Sequence, residues 1–354
     1  MKVAIDISPI SNELPQSGHK VRGAGMYIEG LVNALRKVKS SDTYTFFDRS
    51  KNFVNDADLV HIPYFEFFFR SLPLKHKKKL VVTVHDVTPL IFPKNFPAGI
   101  RGKYAWQMQK LALKRADGVI TDSYCSKSDI ERVAGINPEK IYVIYLAASK
   151  EFKKISDKKE LEKVRKKYTL PKEFALYVGD ATWNKNLPNL IKAIKKLNIN
   201  LVMVGKALSE KDYDRSNPWN SDRVEIEKLV EGDDRIRRLG FLPQEDLVVV
   251  YNLAKVFVMP SYYEGFGLPI LEAMQSGCPV VCTNNGSLKE VAGNSSLFVE
   301  QDEEGITKGV KKVWDDKGLQ AELSKRGLEN AKKFSWEKTA KDTINIYKKV
   351  VNEE

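Results

Sequence analysis

Short apolar runs rich in Val and Ile recur along this chain and alternate with amphipathic segments. That alternation limits the fold more than any single residue does. Runs at residues 1–7, 80–85, 118–121 and 141–144, then at 175–178, 201–204, 236–239, 256–259 and 279–282, have the length and near-continuous apolar character of strands buried on both faces. Between them, segments such as 25–37, 188–197 and 247–253 space their apolar residues as helices do. Strand, helix, strand, repeated, predicts an α/β chain of doubly wound parallel sheets. A length of 354 residues suits two such domains. The charged stretch 150–171 separates the halves, so the boundary is expected near Tyr168: a first domain over 1–168, a second over 169–334, and a closing helix over 335–354 with Ser335 as its N-cap.

Composition narrows the class. Hydrophobic residues make up 42% and charged residues 29%, which is globular rather than disordered. No apolar run reaches the roughly 18 residues of a membrane span, and the first residues show no signal-peptide pattern. Three cysteines, Cys125, Cys278 and Cys282, are too few for a disulfide framework, and Cys278 with Cys282 lacks the second pair a zinc site needs. A reduced, cytoplasmic setting is expected. The balance of 58 Lys+Arg against 46 Asp+Glu, net +12, favours anionic partners. No zinc finger or RNA-recognition signature is present, so nucleic acid is not expected among them.

The stretch Ser261-Tyr-Tyr-Glu-Gly-Phe-Gly-Leu-Pro-Ile-Leu-Glu-Ala-Met-Gln-Ser-Gly277 is the most informative. It carries Glu264 and Glu272 eight positions apart, with Gly265, Phe266, Gly267 and Leu268 between them. Pro269 suits the first turn of a helix and Gly277 its C-terminal end, so the stretch reads as strand, glycine-rich loop and helix. Ligands of open α/β sheets sit beyond the carboxyl ends of strands, where the free N–H groups and dipole of a helix start favour anions. Carboxylates there repel phosphate but accept hydrogen bonds from vicinal diols, each worth about 1.5–3 kcal/mol to a charged group. Phosphate on backbone amides with diols on carboxylates describes a nucleotide sugar. Acidic residues also collect at helix starts for the dipole alone, so two glutamates by themselves decide nothing.

Other loops follow other runs. In Arg22-Gly-Ala-Gly-Met-Tyr-Ile-Glu29, Gly23 and Gly25 would let the backbone approach a phosphate or a sugar, but Ile28 stands where a dinucleotide fingerprint has its third glycine. Thr83-Val-His85-Asp86-Val-Thr-Pro89 closes a buried run: His85 suits a hydrogen bond to a sugar, with Asp86 to orient it or take an acceptor hydroxyl, although a lone histidine is as often structural. In Tyr177-Val-Gly-Asp-Ala-Thr-Trp-Asn184-Lys185-Asn186, Lys185 stands near a helix start, where it would neutralise a diphosphate as a sugar–phosphate bond breaks. Lys206 is a second cation nearby, Phe241 sits in the generic loop Leu239-Gly-Phe-Leu-Pro243, and Asn285-Gly-Ser287 reads as a helix cap.

These segments resemble the retaining glycosyltransferases of family 4, the group 1 transferases. The Glu264–Glu272 block resembles their Glu-x7-Glu signature, and the resemblance extends over residues 1–350. It implies a GT-B fold, two Rossmann-like domains facing a cleft with the last helix crossing back to the first. It also implies transfer of a hexose from a nucleotide diphosphate sugar to a glycan or lipid-linked saccharide, with no metal or other cofactor. By the same resemblance Glu264 meets the donor sugar, Glu272 the ribose diol, His85 the transferred sugar, Lys185 the diphosphate, Gly23 and Gly25 the phosphate or sugar, and the backbone at Phe241 the base. Met26 and Asn184 stand where relatives often carry arginine, which removes or weakens one contact at each. No metal-binding Asp-x-Asp motif is assigned. The wording around His85 and Lys185 looks most like mannosyltransferases using GDP-mannose.

Other readings stand beside this one. The same enzyme class could use a UDP-sugar. A nucleotide-binding Rossmann enzyme such as an epimerase would need a complete glycine loop and a Tyr-x-x-x-Lys pair, and Tyr104 and Lys110 are not at that spacing. A non-catalytic subunit that keeps the fold is the third. Finally, Tyr64-Phe-Glu-Phe-Phe-Phe-Arg70 followed by Leu74-Lys-His-Lys-Lys-Lys79 reads either as a buried aromatic helix face with a solvated turn or as a peripheral contact with an anionic membrane.

Overall fold

A computed structural model describes residues 1–10, 23–49 and 56–352. The chain forms two compact units: Met1–Pro93 with Pro97–Ala147 and Phe334–Glu354, and Lys94–Phe96 with Ala148–Lys333. Each is built on a six-stranded, wholly parallel sheet. The first holds β1 (Lys2–Asp6), β2 (Thr43–Phe47), β3 (Leu59–Ile62), β4 (Lys79–Thr83), β5 (Gly118–Thr121) and β6 (Ile141–Val143), in the order β2-β1-β3-β4-β5-β6. The second holds β7 (Ala175–Val178), β8 (Leu201–Val204), β9 (Ile236–Arg238), β10 (Val256–Met259), β11 (Val280–Thr283) and β12 (Leu297–Val299), in the order β12-β11-β10-β7-β8-β9. In the second unit the order reverses between β7 and β10, and in the first between β1 and β3. Those are the switch points where open α/β sheets leave a crevice for ligands.

Alternating side chains build the cores. In the second unit Ala175, Tyr177, Leu201, Met203, Val256 and Val258 point to one face of the sheet. They pack with Leu190, Ile191 and Ile194 of helix Leu187–Leu197 and Ile306 and Val310 of helix Glu303–Asp315. Each fully buried aliphatic side chain contributes about 1.5–3 kcal/mol.

The structure adds three strands to those read from the sequence: β2, β3 and β12. β2 and β12 are sheet edges with partly exposed residues, so neither has the continuous apolar character of a central strand. β3 has four residues, one of them a buried histidine. The boundary also falls earlier than Tyr168, between Ala147 and Ala148. Helix Lys158–Lys167 belongs to the second unit, where Lys167 and the Tyr168 hydroxyl both bond Asp246 at 2.6 Å. The last helix, Trp336–Asn352, belongs to the first unit. Ser335 Oγ caps it at Lys338 N (3.1 Å), Thr339 Oγ1 donates to Tyr145 O at 2.7 Å, and Trp336 lies flat against Gly30, where a Cβ would come within 2.3 Å of the ring. Residues 67–70 form a turn, not the helix face suggested for the aromatic run.

Candidate functional site

In the second unit the loops after β7, β8, β9, β10 and β11 all emerge at one edge of the sheet, because every strand runs the same way. Those after β7 and β10 meet at the switch point. Lys185 ends the short helix Trp183–Lys185 that follows β7, and its Nζ donates to both carboxylate oxygens of Glu264 at 2.8 Å each. Glu264 is buried and takes a third bond from Ser261 Oγ at 2.7 Å. Its backbone is held as firmly. Glu264 O accepts from Ser287 N (3.1 Å) and Ser287 Oγ (3.0 Å), and Gly286 sits at φ +61°, where a Cβ would lie 2.5 Å from that oxygen. Ser287 occupies the N-cap position of helix Leu288–Ala292 but makes no capping bond, because its hydroxyl serves Glu264 instead.

Asn184, which stands where relatives often carry arginine, is buried. Its Nδ2 donates to Tyr263 O (3.0 Å), its Oδ1 accepts from Thr182 Oγ1 (2.8 Å), and its backbone O accepts from Tyr262 N (2.8 Å). It pins the β7 loop to the β10 loop and so sets the meeting of Lys185 with Glu264. Asn186, in the left-handed region at φ 54°, adds a bond to Pro260 O at 2.8 Å.

The glycine-rich loop ends at Gly267, at φ +92°, which begins helix Leu268–Gln275 without a side-chain cap. Gly265 and Phe266 are buried beside it, and Gly277 ends the segment at φ +72°. An uncapped helix start of this kind presents backbone amides to an anion. Glu272 lies inside this helix, buried, and its Oε2 accepts from Tyr251 OH at 2.8 Å. Burial pushes its carboxyl up to about 7, against the pull of the Tyr251 hydroxyl. Lys206 is exposed at the end of β8. Gly205 N bonds Gly240 O at 3.0 Å, which sets Lys206 near the following loop, where Phe241 is 73% exposed. The structure therefore joins Lys185 to Glu264, gives Glu272 a separate partner, and leaves Lys206 and Phe241 on the same edge.

In the first unit His85 lies two residues beyond β4, not at its end. Its carboxylate partner is Asp122, just past β5, at Nδ1–Oδ2 2.8 Å, and not Asp86, whose Oδ1 accepts from Thr88 N at 2.8 Å in a local turn. Burial works against a charged imidazole, but Asp122, with Asp86 and the Pro63 carbonyl, raises His85 above the ordinary histidine range. The edge of the Tyr27 ring packs on His85 at 4.8 Å. Behind it run Tyr27 OH to Thr83 Oγ1 (3.1 Å), Thr83 Oγ1 to His61 Nε2 (2.8 Å) and His61 Nδ1 to Tyr347 OH (2.6 Å). Burial pushes His61 down to about 3, so it is neutral. Sequence reasoning missed Asp122. The available signal was its place directly after a buried strand adjacent to that of His85. Gly23 and Gly25 fall in the first turn of helix Gly23–Leu35. Neither has a positive φ, and a Cβ on Gly23 would meet nothing within 4 Å. Arg22 lies outside the described residues.

Asp-x-Asp triplets occur at 56–58 and 212–214, and among the described residues neither belongs to a group that could hold a metal. Asp56 and Asp58 bond Lys2, and Asp214 closes its own turn on Ser216. Among the described residues no group of three His, Cys, Asp or Glu could hold a metal, and no helix is long and apolar enough to cross a membrane.

Among proteins of known name, the chain is 35% identical to O-antigen chain mannosyltransferase B of Escherichia coli over 280 residues, 78% of this chain and 72% of that protein. It is 31% identical to the serotype-specific mannosyltransferase WbdA of Escherichia coli over 74% of this chain, but spans only 32% of that longer protein. Among solved structures it matches sucrose-phosphate synthase from Thermosynechococcus elongatus with a TM-score of 0.76 at 21% identity, over 99% of both chains, which shows the shared GT-B fold. With residues 157–334 matching the family model of the glycosyl transferases group 1 and residues 10–151 that of Glycosyltransferase Family 4, the chain belongs to this glycosyltransferase family.

Proposed function

We propose that the chain is a retaining mannosyltransferase that moves mannose from GDP-mannose to a glycan or a lipid-linked saccharide at a membrane surface, without a metal. The observation that carries the reading is the Lys185–Glu264 pair at the switch point of the second sheet, beside an uncapped helix start. The amides of that helix suit the diphosphate. Glu264 takes the hydroxyls of the donor sugar, and Glu272 takes the ribose diol. As the bond between sugar C1 and the diphosphate oxygen breaks, its electron pair leaves with the nucleotide. The acceptor oxygen bonds C1 on the same face, and its proton passes to the leaving phosphate. Lys185 stabilises the negative charge that develops there, a contribution of about 2.7–4 kcal/mol for one preorganised donor. The Asp122–His85 pair of the first unit holds the imidazole in one orientation for a sugar hydroxyl. The choice of mannose rests on the names of the relatives.

Thermal stabilisation by GDP, UDP, ADP, GDP-mannose, UDP-glucose and NAD, with chelator present, tests the donor. A ligand at about 100 times its dissociation constant adds roughly 2.7 kcal/mol. A selective response to GDP compounds, followed by an α-linked product from the α-linked donor, supports the reading. A response to UDP compounds replaces the donor, a response to NAD alone favours an epimerase, and binding without turnover favours a non-catalytic subunit.

A further inference from the structure

Gln301 follows β12, the edge strand of the second sheet that carries no continuous apolar run. After Val299 come Glu300 and Gln301, and Asp302 then caps helix Glu303–Asp315 by accepting from Gly305 N at 2.7 Å. Gly305 is pressed so closely on Glu300 that a Cβ would lie 2.8 Å from the Glu300 carbonyl oxygen. The strand before it and the capped helix after it therefore fix where Gln301 stands. It is an exposed residue with no motif around it, yet it bonds two other loops at once.

The main chain of Gln301 serves the loop after β7. Gln301 O accepts from Asn186 Nδ2 at 2.6 Å and from Asn189 Nδ2 at 3.4 Å. Asn186 closes the turn that carries Lys185, donating its N–H to Trp183 O at 3.0 Å. Asn186 Nδ2 also holds Pro260 O, next to the Ser261 whose hydroxyl bonds Glu264. The side chain of Gln301 serves the loop after β11. Gln301 Oε1 accepts from Asn285 Nδ2 at 2.8 Å. Asn285 precedes Gly286 and Ser287, the two residues that bear on Glu264 O. One residue thus braces the Lys185 side with its carbonyl and the Glu264 side with its amide, although Lys185 and Glu264 are 79 positions apart.

We infer that Gln301 is a positioning residue for the Lys185–Glu264 pair, and that it acts through Asn285. The loop that holds Glu264 O pivots on Gly286, a glycine at φ +61°, and glycine is the residue with the most backbone freedom to lose. A side-chain bond from the next loop removes part of that freedom before substrate arrives, as the support of a functional pair requires. Misplacing a reacting group by about 1 Å costs up to about 100-fold in rate, so a brace remote from the chemistry still reaches it. For its effect on turnover the inference rests on the enzymatic reading. The brace itself is read in the ligand-free chain, so the two fail separately.

The experiment follows amide hydrogen exchange of the ligand-free full chain over 284–290 and 183–190, in wild type, Gln301→Ala, Asn285→Ala and the double variant. Losing the amide bond should speed exchange over 284–290 about two- to tenfold. Exchange over 183–190 should not change, since Gln301 O stays on Asn186. The double variant should match either single one, because both remove the same bond. In single-turnover assays Gln301→Ala should lower sugar transfer about tenfold, with affinity for the nucleoside diphosphate unchanged and melting within about 4 °C of wild type. Gln301→Glu keeps an acceptor oxygen for Asn285 Nδ2 and should restore the rate. The proposal is overturned if exchange over 284–290 is unchanged, if the two substitutions add, or if a chain that transfers sugar does so equally well as Gln301→Ala. Faster exchange over both segments with a large loss of melting temperature is general loosening and overturns it too. A wild-type chain that transfers no sugar sinks the enzymatic reading alone, and the exchange pattern then decides the brace by itself.

Discussion

Tyr251→Phe isolates what burial does to Glu272. The change removes one oxygen, the donor to Glu272 Oε2 at 2.8 Å, and leaves the packing of the ring in place. In the wild-type protein burial has already raised the carboxyl to about 7. If a ribose diol binds the ionised form, affinity for the nucleotide sugar should rise about tenfold from pH 6 to pH 8, since about a tenth of the groups are ionised at the first pH and about nine tenths at the second. A hydrogen bond to a charged group is worth about 1.5–3 kcal/mol, and one pH unit is about 1.4 kcal/mol, so losing the Tyr251 hydroxyl should move the midpoint up by about one to two pH units. At pH 7 the variant should then bind about 5- to 50-fold more weakly and recover near pH 9 or above. Stability follows the opposite sign. A carboxyl raised in the folded state stabilises it below the unfolded value and ceases to do so as pH rises to the folded midpoint. The melting temperature of the variant should therefore begin to level off at a higher pH than that of the wild type. Calorimetric titration with GDP-mannose, whose diphosphate does not ionise in this range, reads the affinity. A wild-type affinity flat from pH 6 to pH 8, or a Tyr251→Phe profile superimposable on it, would refute the reasoning.

Three further predictions follow the same geometry. Lys185→Ala should lower the rate of transfer by about 10²–10³-fold in single-turnover assays, and it should lower stability by about 3–5 kcal/mol in denaturant titrations, because Glu264 is left buried with its charge partner gone. Gly286→Ala should cost about 1–3 kcal/mol from its left-handed backbone alone, and it should reduce transfer further by pushing on Glu264 O, which comparison of melting with activity would show. Gly30→Ala should destabilise the packing of the last helix by about 1–3 kcal/mol, since its Cβ would overlap the Trp336 ring, while donor-nucleotide affinity stays unchanged; wild-type stability would count against that packing.

The central strands and the Glu264–Glu272 block were legible because they are local patterns. A buried parallel strand is a continuous apolar run, and Gly267, Pro269 and Gly277 mark the start and stop of one helix within ten residues of each other. The edge strands β2 and β12 were not legible, since a half-exposed strand carries no such run. The domain boundary slipped for a related reason. The charges of 150–171 look like a linker, yet Lys167 and Tyr168 are fastened to Asp246.

What the sequence by itself determined is the class of fold, the family, and the place of Glu264, Lys185 and His85 in loops beyond strands and of Glu272 in the helix that follows. Only the tertiary structure decided who partners whom. It set Lys185 on Glu264 across 79 residues of chain, gave His85 the carboxylate of Asp122 and not that of its neighbour Asp86, made Asn184 a fastener between the β7 and β10 loops, and left Ile100, Tyr104 and Leu111 of helix Gly99–Lys114 exposed. The physical reason is that periodicity records which face of an element is apolar and where it ends, whereas hydrogen-bond partners and burial depend on strand order, which brings distant loops to one edge of a sheet.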